Sequence, residues 1–305
     1  MGQERMGRKR YVAILLLLLV IVLFACLPAS SAVWRDVRRA CGLGTFSDAA
    51  DDAPFALHVL DVGKADSLLL ECGGEAMLVD GGTPDRGEEV VQYLTRRGID
   101  SLRYVVNTHP DADHIGGLPE VLQAFPVAAY IAPELSVDTV EYRRTQQILQ
   151  EKAIAVQYSQ AGTTFSLGGA EIEVWTPPSA ADGLNNHSLV LRVVYGDTAF
   201  LLMGDAEREE EEALLASGMP LRADVLKVGH HGSDTSTGKA LLDAVQPRYA
   251  AISTAWDNSR LPRETVLRRL RSAGVALYRT DVCGTLLFLS DGETVRVVTE
   301  NEACA

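Results

Sequence analysis

Two histidines and two aspartates, His109, Asp111, Asp113 and His114, fall within six residues directly after the apolar run Tyr104-Val105-Val106. Imidazoles and carboxylates crowded on one short loop repel like charges and lose hydration unless a cation compensates them, so the cluster reads as half of a metal site. A polar turn in which Asp113 caps a helix starting near Ile115 would use one aspartate and leave both histidines without a role. Three later stretches carry the same chemistry: Asn185-Asn186-His187-Ser188, Gly204-Asp205 and His230-His231. Imidazole and carboxylate donors without cysteine suit zinc or manganese.

Each stretch adjoins a strand-like run. The spacing of apolar residues predicts strands over 57–62, 67–72, 76–79, 104–107, 130–132, 171–175, 188–194, 198–203, 224–228, 249–253, 275–278, 285–289 and 294–298. Helical periodicity predicts helices over 87–97, 118–124, 139–152, 207–216, 237–245 and 263–273. In the 207–216 helix, Glu207 and Glu209 to Glu212 read as a solvated face. Strands and helices alternate in two similar halves, which implies two sheets with helices outside. Layered folds gather strand ends along one edge, so the four stretches are expected to meet there.

With 305 residues and 47% apolar content, the chain can bury a sizeable core as one large domain or two small ones. The net charge is −13; the first 32 residues carry +3, so the remainder carries −16. That balance argues against a general basic groove for nucleic acid, though not against a phosphate contact made through a metal. Arg143-Arg144, Arg268-Arg269 and Arg271 read as solvated helix faces.

Arg8-Lys9-Arg10 precedes an uncharged apolar run over 11–27, the pattern of an export signal occupying residues 1–32. Leu23-Phe24-Ala25-Cys26 resembles a lipoprotein signal, Ser30-Ser31-Ala32 suits an ordinary signal peptidase, and the run is long enough to stay as a membrane anchor. All three place the rest of the chain outside the cell membrane, held at its outer face or secreted. Residues 33–54 read as a tether, and 55–305 as the folded domain. Beyond Cys26, the widely spaced Cys41, Cys72, Cys283 and Cys304 fit an oxidising compartment, with a bridge between the chain ends through Cys41 and Cys304 one of three pairings.

Taken together, these motifs resemble the metallo-β-lactamase superfamily. His109-Pro110-Asp111-Ala112-Asp113-His114 is similar to its HxHxDH motif with Asp111 in place of the second histidine, and residues 108–117 have the form seen in ComEC-like hydrolase domains of competence proteins. Residues 58–63, 78–82, 185–190, 202–206, 227–233 and 278–281 agree with the same group. The resemblance implies a four-layered αββα sandwich with two divalent metal ions, zinc or manganese. His109, Asp111, Asp113, His114, Asp205 and His230 are its implied metal-site residues, with Asp205 as the bridging carboxylate. His187 and Asn186 stand where the superfamily places a third ligand for the first metal. Asp113 and His231 are the implied catalytic residues, Asp113 orienting water or accepting its proton and His231 orienting or contacting substrate. Asp80 is expected to support the motif loop, and His58 to be structural.

Metals held this way would acidify a shared water and place it for in-line attack on a phosphodiester, with DNA among the substrates. The alternatives are a metallohydrolase of another ester class, such as a lactone or choline-phosphate ester, and a metal-bearing surface module without catalysis. Two departures stand out. Lys64-Ala65-Asp66 replaces the Gln-Gly-Asp that often follows Asp-Val-Gly, and Asn258-Ser259-Arg260-Leu261-Pro262 lacks the histidine of Asn-x-Tyr-Gly-His-Pro.

Overall fold

The computed structural model describes residues 45–160, 162–178, 183–257, 260–301 and 304. The first half supplies β1 (Phe55–Val59), β2 (Leu68–Cys72), β3 (Glu75–Val79), α1 (Gly87–Arg97), β4 (Leu102–Val106), α2 (Ala112–Ile115), α3 (Leu118–Ala124), β5 (Val127–Ala132), α4 (Val140–Glu151) and β6 (Ala155–Tyr158). The second supplies β7 (Thr163–Leu167), β8 (Ala170–Trp175), β9 (Val190–Tyr195), β10 (Thr198–Leu202), α5 (Arg208–Ala216), β11 (Val225–Lys227), α6 (Lys239–Val245), β12 (Tyr249–Ile252), α7 (Glu264–Ser272), β13 (Ala276–Arg279) and α8 (Thr280–Cys283). The chain then returns to the first sheet as β14 (Leu286–Ser290) and β15 (Val295–Thr299). One sheet has the order β15-β14-β1-β2-β3-β4-β5-β6 and the other β13-β12-β11-β10-β9-β8-β7.

Strand alternation sorts side chains between two faces. Phe55, Leu57 and Val59 of β1 and Met77 and Val79 of β3 meet Ile172, Val174, Phe200 and Leu202 of the opposite sheet in one core. The intervening Leu69, Leu78 and Val105 face the other way and bury Val90, Leu94, Leu118 and Val121 of the helices. On the second sheet, Leu201, Leu226 and Ala250 do the same for Leu214, Leu241, Val266 and Leu270. Helix, sheet, sheet and helix therefore stack as the αββα sandwich expected. Within each sheet one half is parallel: β3 to β6 in the first and β10 to β13 in the second. The carboxyl ends of β3 and β4 thus lie together, as do those of β10, β11 and β12.

Packing begins before Phe55. Phe46–Asp52 forms a 3-10 helix whose Phe46, Ala49 and Ala50, with Ala53, lie against Ala56, Leu287, Leu289 and Val298. Their spacing of three and four residues is an amphipathic stripe, masked in the sequence by Asp48, Asp51 and Asp52, so residues 45–54 are part of the domain rather than tether. Arg97, only 3% exposed, pins this piece: its guanidinium reaches Asp51 at 2.8 Å, the Ser47 carbonyl at 2.8 Å and Glu71 at 2.9 Å. His58 shares Glu71 at 2.8 Å and bonds the Tyr93 hydroxyl at 2.7 Å, a structural role as expected. Residues 1–32, read as the export signal, and 33–44 lie outside the described residues; among the described residues no helix is long and apolar enough to cross a membrane.

The cysteine pairing differs from the one singled out. Cys304 is bonded to Cys283, and Cys72 is buried with a free thiol. The bridge ties the chain's last segment to α8 because β14 and β15 form a hairpin that brings the chain back beside Cys283, whose carbonyl accepts the Asn301 amide. Cys41 lies outside the described residues. The acidic run on α5 is also less solvated than expected. Glu210 and Glu211 are each 3% exposed, Glu211 accepting the amides of Thr237 and Gly238 and so capping α6.

Removing one partner from a buried ion network strands the other charges. Arg97→Ala is expected to lower unfolding free energy by about 3–5 kcal/mol in denaturant titrations. Burial would raise the Glu71 carboxyl, but His58 and then Arg97 outweigh it and hold it at about 2, against 4.5 unperturbed. Its stabilising share is therefore complete above about pH 4.5 and lost as pH falls toward about 2. Urea midpoints of wild type and Glu71→Gln should diverge at pH 6 and converge near pH 2.

Candidate metal centre

Asp80 follows β3 in a left-handed conformation, φ 58°, and turns its carboxylate under the loop that follows β4. It accepts the Thr108 amide at 2.8 Å, the Thr108 hydroxyl at 2.7 Å, the Asn107 side-chain amide at 3.2 Å and the His114 Nδ1–H at 2.8 Å. Asn107 also donates to the His109 carbonyl at 2.6 Å. Asp80 thus supports the motif loop, as expected. The neighbouring glycines are dictated by close approach. A Cβ on Gly81 would come within 2.6 Å of the Leu118 nitrogen, and one on Gly117 within 2.1 Å of the Gly81 carbonyl.

From the second sheet come Asp205, just past β10, and the pair His230-His231, past β11. The Asp205 amide donates to Ser188 Oγ at 3.0 Å, and Gly204 leaves no room for a side chain between Ser188 and Thr108. His230 and His231 occupy consecutive left-handed positions, φ 48° and 51°, a strained turn for residues with side chains. The turn separates the two rings. His231 is fully buried, its Nδ1–H held by the Ser253 carbonyl at 3.0 Å, and its Nε2 lies 3.6 Å from Asp113 and 3.7 Å from Asp205. His230 sits at the rim, 23% exposed, with Nδ1 at 3.1 Å from Glu207 and 3.2 Å from the Thr235 hydroxyl and Nε2 at 3.8 Å from Asp205. His231 faces the centre, and His230 flanks it at the rim.

Four buried atoms point into one space, Nε2 of His109, His114 and His231 and Oδ1 of Asp205, and the nearest polar contact among them is the 3.2 Å ion pair of His114 with Asp205. Unpaired buried nitrogen and oxygen donors are costly, and a cation is the partner that would satisfy all of them. Two groups have donor atoms all within 4.8 Å of one another: His109, His114 and Asp205, and Asp113, His114 and His231. A third, Asp66, Asp80 and His114, lies on the Nδ1 side, where the Asp80 hydrogen bond already satisfies the ring. Of the other residues singled out by sequence, Asp111 is 34% exposed with Oδ2 at 3.6 Å from His109 Nε2. Asn186 is buried and accepts the Glu207 amide at 3.2 Å, and the half-buried His187 does not belong to these groups.

The electrostatics match a cation site. Burial would lower the His114 pKa, but Asp205 and Asp80 raise it well above 6.5. Burial would raise Asp205, but His231 and His114 hold it well below the usual carboxylate range. Asp113 is likewise depressed against burial, by His231, His114 and Lys64. Lys64 bonds Asp113 Oδ2 at 2.6 Å. Beneath His231 a buried pair, Lys227 Nζ and Asp66 Oδ2 at 2.9 Å, backs the site. Lys64, Asp66, Lys227, Ser188, Ser253 and Glu207 were not singled out as site residues by sequence. The available signal was position, since each lies on or within a few residues of a strand end that carries a histidine or aspartate.

Comparison with known proteins places this geometry. The model of the metallo-beta-lactamase superfamily matches residues 60–256. ComE operon protein 3 of Bacillus subtilis (strain 168) is 32% identical over 253 residues, covering 76% of this chain and 32% of that protein. Recombination protein 2 of Haemophilus influenzae is 33% identical over 235 residues, covering 75% of this chain and 28% of that protein. These two relatives are ComEC-like, and the chain spans about a third of the length of each. Among solved structures, the metallo-beta-lactamase fold protein YhfI from Bacillus subtilis superposes with a TM-score of 0.53 at 10% identity, covering 76% of this chain and 98% of that one, a likeness of fold. The chain belongs to the metallo-beta-lactamase superfamily.

Proposed function

We propose that this chain is an exported, divalent-metal-dependent hydrolase that cleaves phosphodiesters. The observation that carries the reading is the convergence of the buried Nε2 atoms of His109, His114 and His231 on Asp205 Oδ1. An imidazole Nε2 has one lone pair and serves one cation, so the groups sharing His114 divide. Asp113, His114 and His231 would hold one cation, and His109 with Asp111 and Asp205 would hold the other. Imidazole with carboxylate suits zinc or manganese.

When bound, the cations supply Lewis acidity toward phosphoryl oxygens and acidify a water. The chain's own residues position that chemistry. Asp80 and the Ser253 carbonyl hold the Nδ1–H of His114 and His231, which turns each Nε2 inward. Asp113, kept ionised below its usual range, acts as ligand and orienting acceptor. Lys64 places a positive charge at the rim for substrate oxygens. Export is supported by the basic and apolar start of the chain, with membrane attachment or release through it, and by the Cys283–Cys304 bridge, which suits an oxidising compartment.

The test is turnover of single-stranded DNA and bis(p-nitrophenyl) phosphate by protein loaded with zinc or manganese, beside a lactone and a choline-phosphate ester. Diester cleavage lost in Asp205→Asn is expected. Cleavage of another ester alone, or metal binding without turnover, overturns the reading. His231→Ala should lose a bound metal equivalent that His230→Ala keeps, measured by elemental analysis after dialysis. Asp80→Asn should weaken metal affinity by about 10–100-fold. Because His114 must release its proton to bind a cation, affinity should fall as pH is lowered, with binding enthalpy depending on the buffer.

A further inference from the structure

Trp256 is 84% exposed, more than any other large apolar side chain among the described residues. It follows β12 on the loop whose Ser253 carbonyl holds His231, so its backbone lies within about 11 Å of that anchor. The ring is not a stray surface residue. The Arg279 guanidinium stands over it, 5.9 Å from the ring centroid. Arg279 is paired in register with Ile252 across β12 and β13, and Asp281, 2% exposed, fixes the guanidinium through Nε at 3.0 Å and Nη2 at 2.5 Å. A cation held over an indole steadies the ring while the rest of it stays open.

We propose that Trp256, steadied by Arg279, is a stacking platform for a nucleobase of the substrate; this rests on the phosphodiesterase reading and names its substrate class as nucleic acid strands. A base is the part of a nucleic acid strand that can settle here without help from charge. Residues 33–305 carry −16, so a polyanion gains little from the general field. Recognition must then come from contacts indifferent to charge. Base–aromatic stacking is such a contact, and it tolerates every base. A strand with its phosphodiester at the metal centre would lay a neighbouring base on the indole.

The test compares dithymidine phosphate with its abasic counterpart in wild type, Trp256→Ala and Trp256→Phe. Trp256→Ala should raise KM for dithymidine phosphate on the order of tenfold with kcat little changed, leave the abasic diester unaffected, and be largely rescued by Trp256→Phe. Equal loss on both diesters, or no loss on either, overturns the platform. A second readout needs neither metal nor turnover: thymidine should shift the indole Nε1–H signal that is absent from the spectrum of Trp256→Phe. If that signal moves but no phosphodiester is cleaved, the platform stands and the hydrolase reading falls. If phosphodiesters are cleaved and the signal stays still, the platform falls alone.

Discussion

A buried carboxylate gripping one face of a histidine organises this molecule's working edge. Asp80 has no water to lean on and takes its hydrogen bonds from Thr108, Asn107 and His114, which joins the end of β3 to the loop after β4 and to α2. Each bond closes off an alternative. The Thr108 contacts set the height of the loop, the Asn107 contact directs the His109 carbonyl, and the His114 contact fixes the tautomer. Only then do Nε2 of His109 and His114 share a space with Asp205, which arrives from the other sheet. The inter-sheet core of Phe55, Leu57, Phe200 and Leu202 supplies the stiffness that keeps these two edges in register.

Much of this was legible in the sequence because the chemistry sits on strong local signals. The run His109 to His114 lies between an apolar strand and a pair of glycines, and both the strand and the close approach of Gly117 to Gly81 are found in the structure. The strand ends that bring in Asp205 and His230-His231 follow from the apolar runs at 198–203 and 224–228. What could not be read was direction. Adjacent histidines look equivalent in a sequence; a left-handed turn separates them, and nothing local announces which ring faces inward. The same limit hid Lys227, whose ammonium is fully buried because Asp66 waits for it across the sheet edge. β6 went unread because its exposed edge positions carry little apolar pattern. The acidic start of the domain misled in the opposite sense, its three aspartates concealing a stripe of Phe46, Ala49, Ala50 and Ala53.

Two buried charge systems divide the labour. Arg97, Glu71, His58 and Asp51 lie on the helical side of the first sheet, away from the metal centre, and fasten the first described segment to the body of the domain. Lys227 and Asp66 lie against His231 and shape the field at the centre. Burial would favour the protonated Asp66 carboxyl, but Lys227, His231 and His114 lower its pKa, so an anion stays beneath the histidine.

The left-handed turn at His230-His231 carries a consequence for how the chain can change. Backbone of this shape costs of order 1–3 kcal/mol per residue when a side chain is present, and glycine adopts it freely. A glycine at position 230 would make the domain sturdier while stripping the rim of an imidazole. Stability and chemistry therefore pull this position in opposite directions, and variants chosen for robustness alone would drift toward a firmer fold with a poorer site.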